Sequence, residues 1–391
     1  MPIINSIAAL KDEMTEWRRD FHAHPEIAFE EVRTSNIVAE KLREWGIEVH
    51  TGIAETGVVG VLKGRGSGGR AIGLRADMDA LPMDEANDFP HKSRSPGKFH
   101  GCGHDGHTTM LLGAAKYLAE TRNFDGTVTF IFQPGEEGAG GGRRMVEEGL
   151  FDRFQCDEVY ALHNWPDLPV GHAGIKAGPM MAASDVFTIT ITGKGGHAAM
   201  PHKCIDPVIV AAQMVQAFQP LVSRRLDPLD SAVISVTQIH AGSAFNVIPN
   251  EAVLNGTVRT LLPQTRDFVE SNMARIAQSL GAAFDVEVHF DYRRGYPPTV
   301  NPEREAAIAK DITEDVLGEG TVLTELAPVM GAEDFAYMLE ARPGAYIWLG
   351  QAGGPGACSV HNPHYDFNDD ILPLGASLLA SLVEKRIPAG N

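Results

Sequence analysis

Between Gly178 and Pro297 the hydrophobic pattern of this chain changes its period, and that change constrains the fold more than any other feature. Upstream, the apolar runs GVVGVLKG, AIGLRAD, TVTFIFQP and EVYALHNWP are separated by amphipathic patterns such as TTMLLGAAKYLAET and RRMVEEGLF. Strands that alternate with helices predict a mostly parallel sheet covered by helices, an α/β architecture. Ahead of it, Ile7, Leu10, Met14, Trp17 and Phe21 recur at three and four, one helical stripe, and Thr34 to Trp45 repeat the pattern up to a stop at Gly46. Inside the block the runs alternate as half-exposed strands do. DVFTITITGKG, AVISVTQIHAG, AVLNGTVRTLL and DVEVHFDY are strands, and PVIVAAQMVQAF and RDFVESNMARIAQSL are helices. Their order is β-α-β-β-α-β, a split ferredoxin-like arrangement. After Pro297 the first pattern resumes with EREAAIAKDITEDVL, AYIWLGQ and ILPLGASLLASLVEK. The larger domain is therefore expected from both ends of the chain, residues 1–184 and 297–391, around an insert of residues 185–296.

Bulk properties exclude several function classes. Apolar residues make up 43% of the chain, enough for a packed core. No 18-residue apolar run exists to span a membrane, and the N-terminus lacks the apolar core of a signal peptide, so a cytoplasmic protein is expected. A formal charge of −18 repels nucleic acid and anionic membranes. The four cysteines are scattered and predict no disulfide framework.

The segment from Phe99 to His107, FHGCGHDGH, carries the chemistry. A thiol, three imidazoles and a carboxylate stand between glycines that let the backbone bend, so that Cys102 and His104 reach one metal ion. Other donors fall at the ends of predicted strands, where open α/β sheets bind ligands. AIGLRA ends in Asp77-Met78-Asp79, TVTFIFQP in Glu136-Glu137, and EVYALHNWP contains His163, while His361 and His364 follow AYIWLGQ and a glycine-rich loop. Adjacent carboxylates suit a division of labour in which one holds a metal and the other moves the proton of an attacking water. A metal lowers the pKa of water from about 15.7 to about 7, and a ligating cysteine is deprotonated and able to bridge two ions. A phosphate-binding reading of GEEGAGGG fails, because the loop lacks the lysine of a P-loop and carries two carboxylates.

The motifs LRADMDALP, HGCGHDGHTTMLLG, FQPGEEG, ALHNWP, GGHAAMPH, NVIPNEAVLNGTVR and SVHNPHYDFND span essentially the whole chain. Together they resemble the aminoacylase/carboxypeptidase family of dinuclear metallohydrolases, and within it the hydrolases of hippurate and of indole-acetyl-amino acids. The resemblance implies a zinc-peptidase-like catalytic domain and two divalent ions per chain, Mn or Zn, with Co or Ni as further candidates. It implies Cys102 as the bridge, His104 and His163 at one ion, Glu137 and His361 at the other, and Glu136 as general base and then acid. Asp79 would orient from behind. Many relatives outside this branch have His in place of Asp77 and a bridging Asp in place of Cys102. In the insert it implies an oxyanion role for His197, in its own or a partner subunit, and substrate contacts for Asn246 and Arg259. His100, His107 and His364 are left as structural or supporting residues. The implied reaction is hydrolysis of the amide bond of N-acyl-L-amino acids, in a homodimer formed through the insert. The rivals are dipeptidase or carboxypeptidase action and, without turnover, metal-dependent binding of amino-acid derivatives.

Overall fold

The computed structural model describes residues 3–66, 68–353 and 358–390. Most of the glycine-rich loop expected before Ser359 lies outside the described residues. The chain divides into two compact units: residues 1–178, 300–327 and 334–391 form one, and residues 179–299 and 328–333 the other.

In chain order the principal strands are β1 (Glu48–Ile53), β2 (Gly57–Lys63), β3 (Ala71–Asp77), β4 (Thr127–Gln133), β5 (Glu158–Pro169) and β6 (Ala173–Gly174). In the second unit follow β7 (Ala183–Thr192), β8 (Ala232–Ala241), β9 (Glu251–Thr260) and β10 (Glu287–Arg294), before β11 (Val322–Leu323) and β12 (Gly344–Ala352).

The first unit is an eight-stranded sheet in the order β1-β2-β4-β3-β5-β12-β6-β11. Its centre, β4-β3-β5-β12, is parallel, whereas β1, β2 and the β12–β6 pairing are antiparallel. The parallel centre follows from composition: every residue of β3 is buried, as expected for a strand covered on both faces. β1 carries mostly exposed or half-buried residues, so EVHTGI shows no apolar run, and sequence patterning passes it over. Helices His104–Thr121 and Leu372–Arg386 are buried along most of their length. They approach closely at Gly375, where a Cβ would collide with the Met110 thioether. The expected N-terminal helix is broken into Asn5–Ala8 and Lys11–Ala23, and RRMVEEGLF is divided at Gly149 (φ 84°) into Gly141–Glu147 and Leu150–Arg153.

The second unit is a four-stranded antiparallel sheet ordered β8-β9-β7-β10. With helices Pro207–Pro220 and Pro263–Ala283 between its strands, it has the ferredoxin-like topology. Burial alternates along β9, and Phe187, Ile191, Leu254 and Val258 pack with Met214, Phe218 and Met273 from the helices. Asp206 starts the first of these helices by accepting the Val208 N–H at 2.9 Å, ahead of a proline at the first helical position. Among the described residues, no helix is long and apolar enough to cross a membrane.

Candidate dinuclear metal site

Five segments of the first unit bring the donors together. β3 delivers Asp77 and, just beyond it, Asp79; β4 runs into Gly135-Glu136-Glu137; β5 carries His163. Cys102 precedes Gly103, which sits at φ 94° with no room for a side chain: a Cβ would collide with Asn164 and the Tyr365 hydroxyl. Only glycine meets both demands, and it starts the helix whose first residue is His104. His361 adopts φ 65°, uncommon for a residue with a Cβ, and its N–H donates to the Gly101 carbonyl at 2.7 Å. That bond ties the C-terminal donor to the Cys102 turn.

Two donor triads result, and they share one atom. Ligand atoms of Cys102, His104 and His163 lie within 4.8 Å of one another, as do those of Cys102, Glu137 and His361. The Cys102 Sγ is 3.5 Å from His163 Nε2, and His361 Nε2 is 3.2 Å from Glu137 Oε1. Glu136 joins His104 and Glu137 within the same limit. All of these side chains are buried except His361, which is 52% exposed, and Glu137, which is 14% exposed.

The surrounding bonds leave the ligand atoms unspent. His163 Nδ1 is 2.7 Å from the Asn164 carbonyl, which accepts its proton and leaves Nε2 with a lone pair facing Cys102. His104 Nδ1 lies 3.3 Å from Asp79 Oδ1, which likewise turns Nε2 inward. His104 Nε2 and Glu137 Oε1 are buried with no hydrogen-bond partner. A buried ring nitrogen and a buried carboxylate oxygen left in this way are costly unless a cation sits between them. Asp79 also accepts the N–H groups of Glu136 (3.0 Å) and Glu137 (2.9 Å), and so holds the turn that carries both carboxylates.

Electrostatics point the same way. Burial alone would deprotonate the His104 imidazolium, but Asp77, Asp79 and Glu137 outweigh it and push its pKa up to about 10. The His163 imidazole is held well below the usual range, first by burial and then by His107, so it is a neutral donor. The Cys102 thiol is pushed well up by burial and by Glu137, Glu136 and Asp77. The cavity thus holds an excess of negative charge that a proton on His104 only partly offsets. Divalent cations fit it, and their charge would favour the Cys102 thiolate.

A second histidine cluster lies beside the first and behaves differently. Asp77, His104 and His107 also have ligand atoms within 4.8 Å. Here the atoms are already engaged. His107 Nδ1 is 2.6 Å from Asp77 Oδ1 and Nε2 is 2.6 Å from Asn164 Oδ1, while Arg75 donates to Asp77 Oδ2 at 2.7 Å. Sequence reasoning missed Asn164, Arg75 and Asp334. Asp334 takes bonds from Gln133 (2.7 Å) and Gly142 (2.7 Å), and its N–H points to Glu136 Oε1 at 3.4 Å. An acid at the end of β3 and an acid in GAEDF were the only signals available.

His197, Asn246 and Arg259 belong to the second unit. His197 pairs with Val247 in a two-residue ladder, and the Asn246 carbonyl accepts the Ala198 N–H at 3.0 Å, so these two residues are neighbours. The Ala199 N–H donates to His197 Nδ1 at 3.1 Å, leaving Nε2–H outward on an exposed ring. Arg259 lies on β9, contacts the Thr257 hydroxyl, and donates to the Val258 carbonyl at 3.0 Å. Among the described residues it forms no ion pair, and its guanidinium is half-buried.

Comparison with known proteins assigns the class. Residues 73–385 match the peptidase family M20/M25/M40, and the chain belongs to that family. It is 41% identical to a hippurate hydrolase of Campylobacter jejuni over 385 residues, covering 98% of this chain and 99% of the relative. It is 43% identical over 376 residues to an Arabidopsis thaliana protein, IAA-amino acid hydrolase ILR1-like 2, covering 95% and 84%. A solved Bacillus subtilis structure, described as a dinuclear metal binding peptidase of the M20 family, superposes with a TM-score of 0.83 at 34% identity, covering 97% and 99%. The zinc-peptidase-like α/β fold with an inserted ferredoxin-like unit is thus a family architecture.

Proposed function

We propose that this chain is a metal-dependent amidohydrolase that cleaves N-acyl-L-amino acids to a carboxylate and a free amino acid, with two divalent ions per chain. The observation that carries the reading is the pair of donor triads sharing the Cys102 sulfur. In this reading Cys102, His104 and His163 would hold one ion, and Cys102, Glu137 and His361 would hold the other. The thiolate and imidazole donors favour Zn by softness, and Mn is the other principal candidate. When bound, the ions supply Lewis acidity toward the scissile carbonyl and an acidified water. The remaining work falls to side chains. Glu136 is buried beside the triads and takes the proton of the attacking water on its carboxylate, then returns it to the departing nitrogen. Asp79 fixes Glu136 through its backbone N–H and His104 through Nδ1. In the insert, residues 185–296, His197 presents an outward N–H suited to a developing oxyanion. Asn246 and the unpaired guanidinium of Arg259 suit the carbonyl and free carboxylate of the substrate. The names of the relatives, hydrolases of hippurate and of IAA-amino acids and deacetylases of N-acetylcysteine, support an N-acyl amino acid as substrate, hippurate-like or N-acetyl. We also assign a cytoplasmic site of action and a homodimer formed through the insert. The edge position of β8 and the exposed Ile239, Phe245 and Val247 support the dimer.

The test is Glu136→Gln. The substitution removes the base and leaves every proposed ligand in place, so turnover of N-benzoylglycine should fall by at least ~10²–10⁴ while both ions stay bound. Near-normal kcat in the fully metallated variant would overturn the reading.

A further inference from the structure

Glu31 is a fully buried carboxylate, remote in sequence from every donor, and the reaction as described gives it no task. It stands at the start of helix Val32–Glu44 but does not cap it. Glu26 accepts the N–H groups of Arg33 (2.9 Å) and Thr34 (2.8 Å) instead, which frees Glu31 to turn inward. There its Oε2 accepts the Thr56 hydroxyl at 2.6 Å, and its Oε1 accepts the Gly135 N–H at 2.9 Å. Gly135 immediately precedes Glu136. Three successive N–H groups, those of Gly135, Glu136 and Glu137, therefore end on two buried carboxylates, Glu31 and Asp79. The same segment touches both loops: the Ala80 N–H donates to the Glu26 carbonyl at 2.8 Å, and a Cβ on Gly135 would meet the Phe29 ring at 3.2 Å. Phe29 holds φ 62° and Gly135 φ 60°, so the contact is kept despite an unfavourable backbone on the phenylalanine side.

We infer that Glu31 is a positioning residue for the general base: with Asp79 it clamps the Gly135-Glu136-Glu137 turn and fixes where the Glu136 carboxylate sits. The inference rests on Glu136 being the base. What the clamp needs is an acceptor at the right reach, and charge is secondary. Burial, reinforced by Asp79, pushes the Glu31 carboxyl up to about 7, so a neutral group is nearly as acceptable there.

Reach and charge are separated by Glu31→Gln and Glu31→Asp. Glutamine keeps the length; its oxygen accepts from Gly135 and its amide donates to the Thr56 hydroxyl, which rotates to accept. Aspartate keeps the charge but falls short by about 1.5 Å, one C–C bond. With N-benzoylglycine as substrate and both metals loaded, Glu31→Gln should stay within about threefold of the parent kcat. Glu31→Asp should lose about tenfold to a hundredfold, with KM within about threefold and both ions retained. Aspartate as active as glutamine or better overturns the inference, as does a loss in both variants that takes metal and KM with it, since that marks a purely structural residue. Glu31→Leu should match or exceed the aspartate loss if it folds, and parent-like turnover in it also overturns the clamp. Failure of the base assignment itself would appear separately, as turnover in Glu136→Gln.

Discussion

His104 and His107 stand one turn apart on the same buried helix, their rings 5.4 Å apart, yet the structure treats them oppositely. Both nitrogens of His107 face oxygens at 2.6 Å, from Asp77 and Asn164. His104 has one nitrogen on Asp79 and the other buried without a partner. The difference separates the proposed ligand from the histidine that serves the fold. Burial does not separate them, and neither does spacing. What separates them is whether the second ring nitrogen already has a partner.

The sharpest way to break this contrast is to change each ring to glutamine. His104→Gln should lose at least one ion and ~10²–10⁴ in kcat/KM, because it removes a proposed ligand and disturbs Asp79. His107→Gln should keep both ions and most of its turnover, and instead lower stability by about 1–3 kcal/mol through partners left unsatisfied. Metal analysis and thermal melts read both, and a metal deficit in the His107 variant equal to that of His104 would erase the distinction.

A smaller effect is expected at Arg259, which forms no ion pair among the described residues. Arg259→Ala should cut kcat/KM for N-acyl amino acids by roughly ten- to a hundredfold, the value of a charge-assisted contact of ~1.5–3 kcal/mol. The corresponding N-acyl amino amides, lacking the carboxylate, should be little affected. Equal losses for acids and amides would make Arg259 structural.

The smallest effect tests the paired extreme. Glu158 receives bonds from Arg386 and from Tyr160 (2.8 Å), and sits beside Arg70. Although burial opposes it, these partners hold its pKa down to about 2, against 4.5 for an ordinary glutamate. A depressed carboxylate stabilises the fold above its unfolded pKa. That contribution should be complete above about pH 4.5 and lost as pH falls toward about 2, whether or not metal is bound. Glu158→Gln should flatten the acid limb of the stability profile, and an unchanged acid limb would show that the pair contributes nothing.

The element order was legible because each buried strand of the centre is a continuous apolar run and each strand of the insert alternates. β1 was not, since an edge strand with mostly exposed side chains carries neither signal. The break at Ala9-Leu10 was also invisible, because the apolar stripe runs through it at helical spacing. At the site, glycine spacing and strand ends offered Cys102, His104, Asp77, Asp79, Glu136, Glu137, His163, His361 and His364; the family resemblance picked out Cys102, His104, Glu136, Glu137, His163 and His361 as ligands and base, and the structure gathers these six. What the sequence withheld is their surroundings. Asn164, Arg75, Asp334 and Glu31 act through tertiary bonds to distant segments, and no local pattern distinguishes them from ordinary polar residues. His104 and His107 are equivalent in HDGH until Asn164 arrives from β5.

The central claim is that one sulfur serves two ions. Elemental analysis of the desalted parent protein and of Cys102→Ser tests it most directly, because a neutral hydroxyl is a poor replacement for a shared thiolate. The parent should hold two divalent ions per chain and the variant one or none, with His107→Gln alongside still holding two. Two tightly held ions in Cys102→Ser would contradict the account.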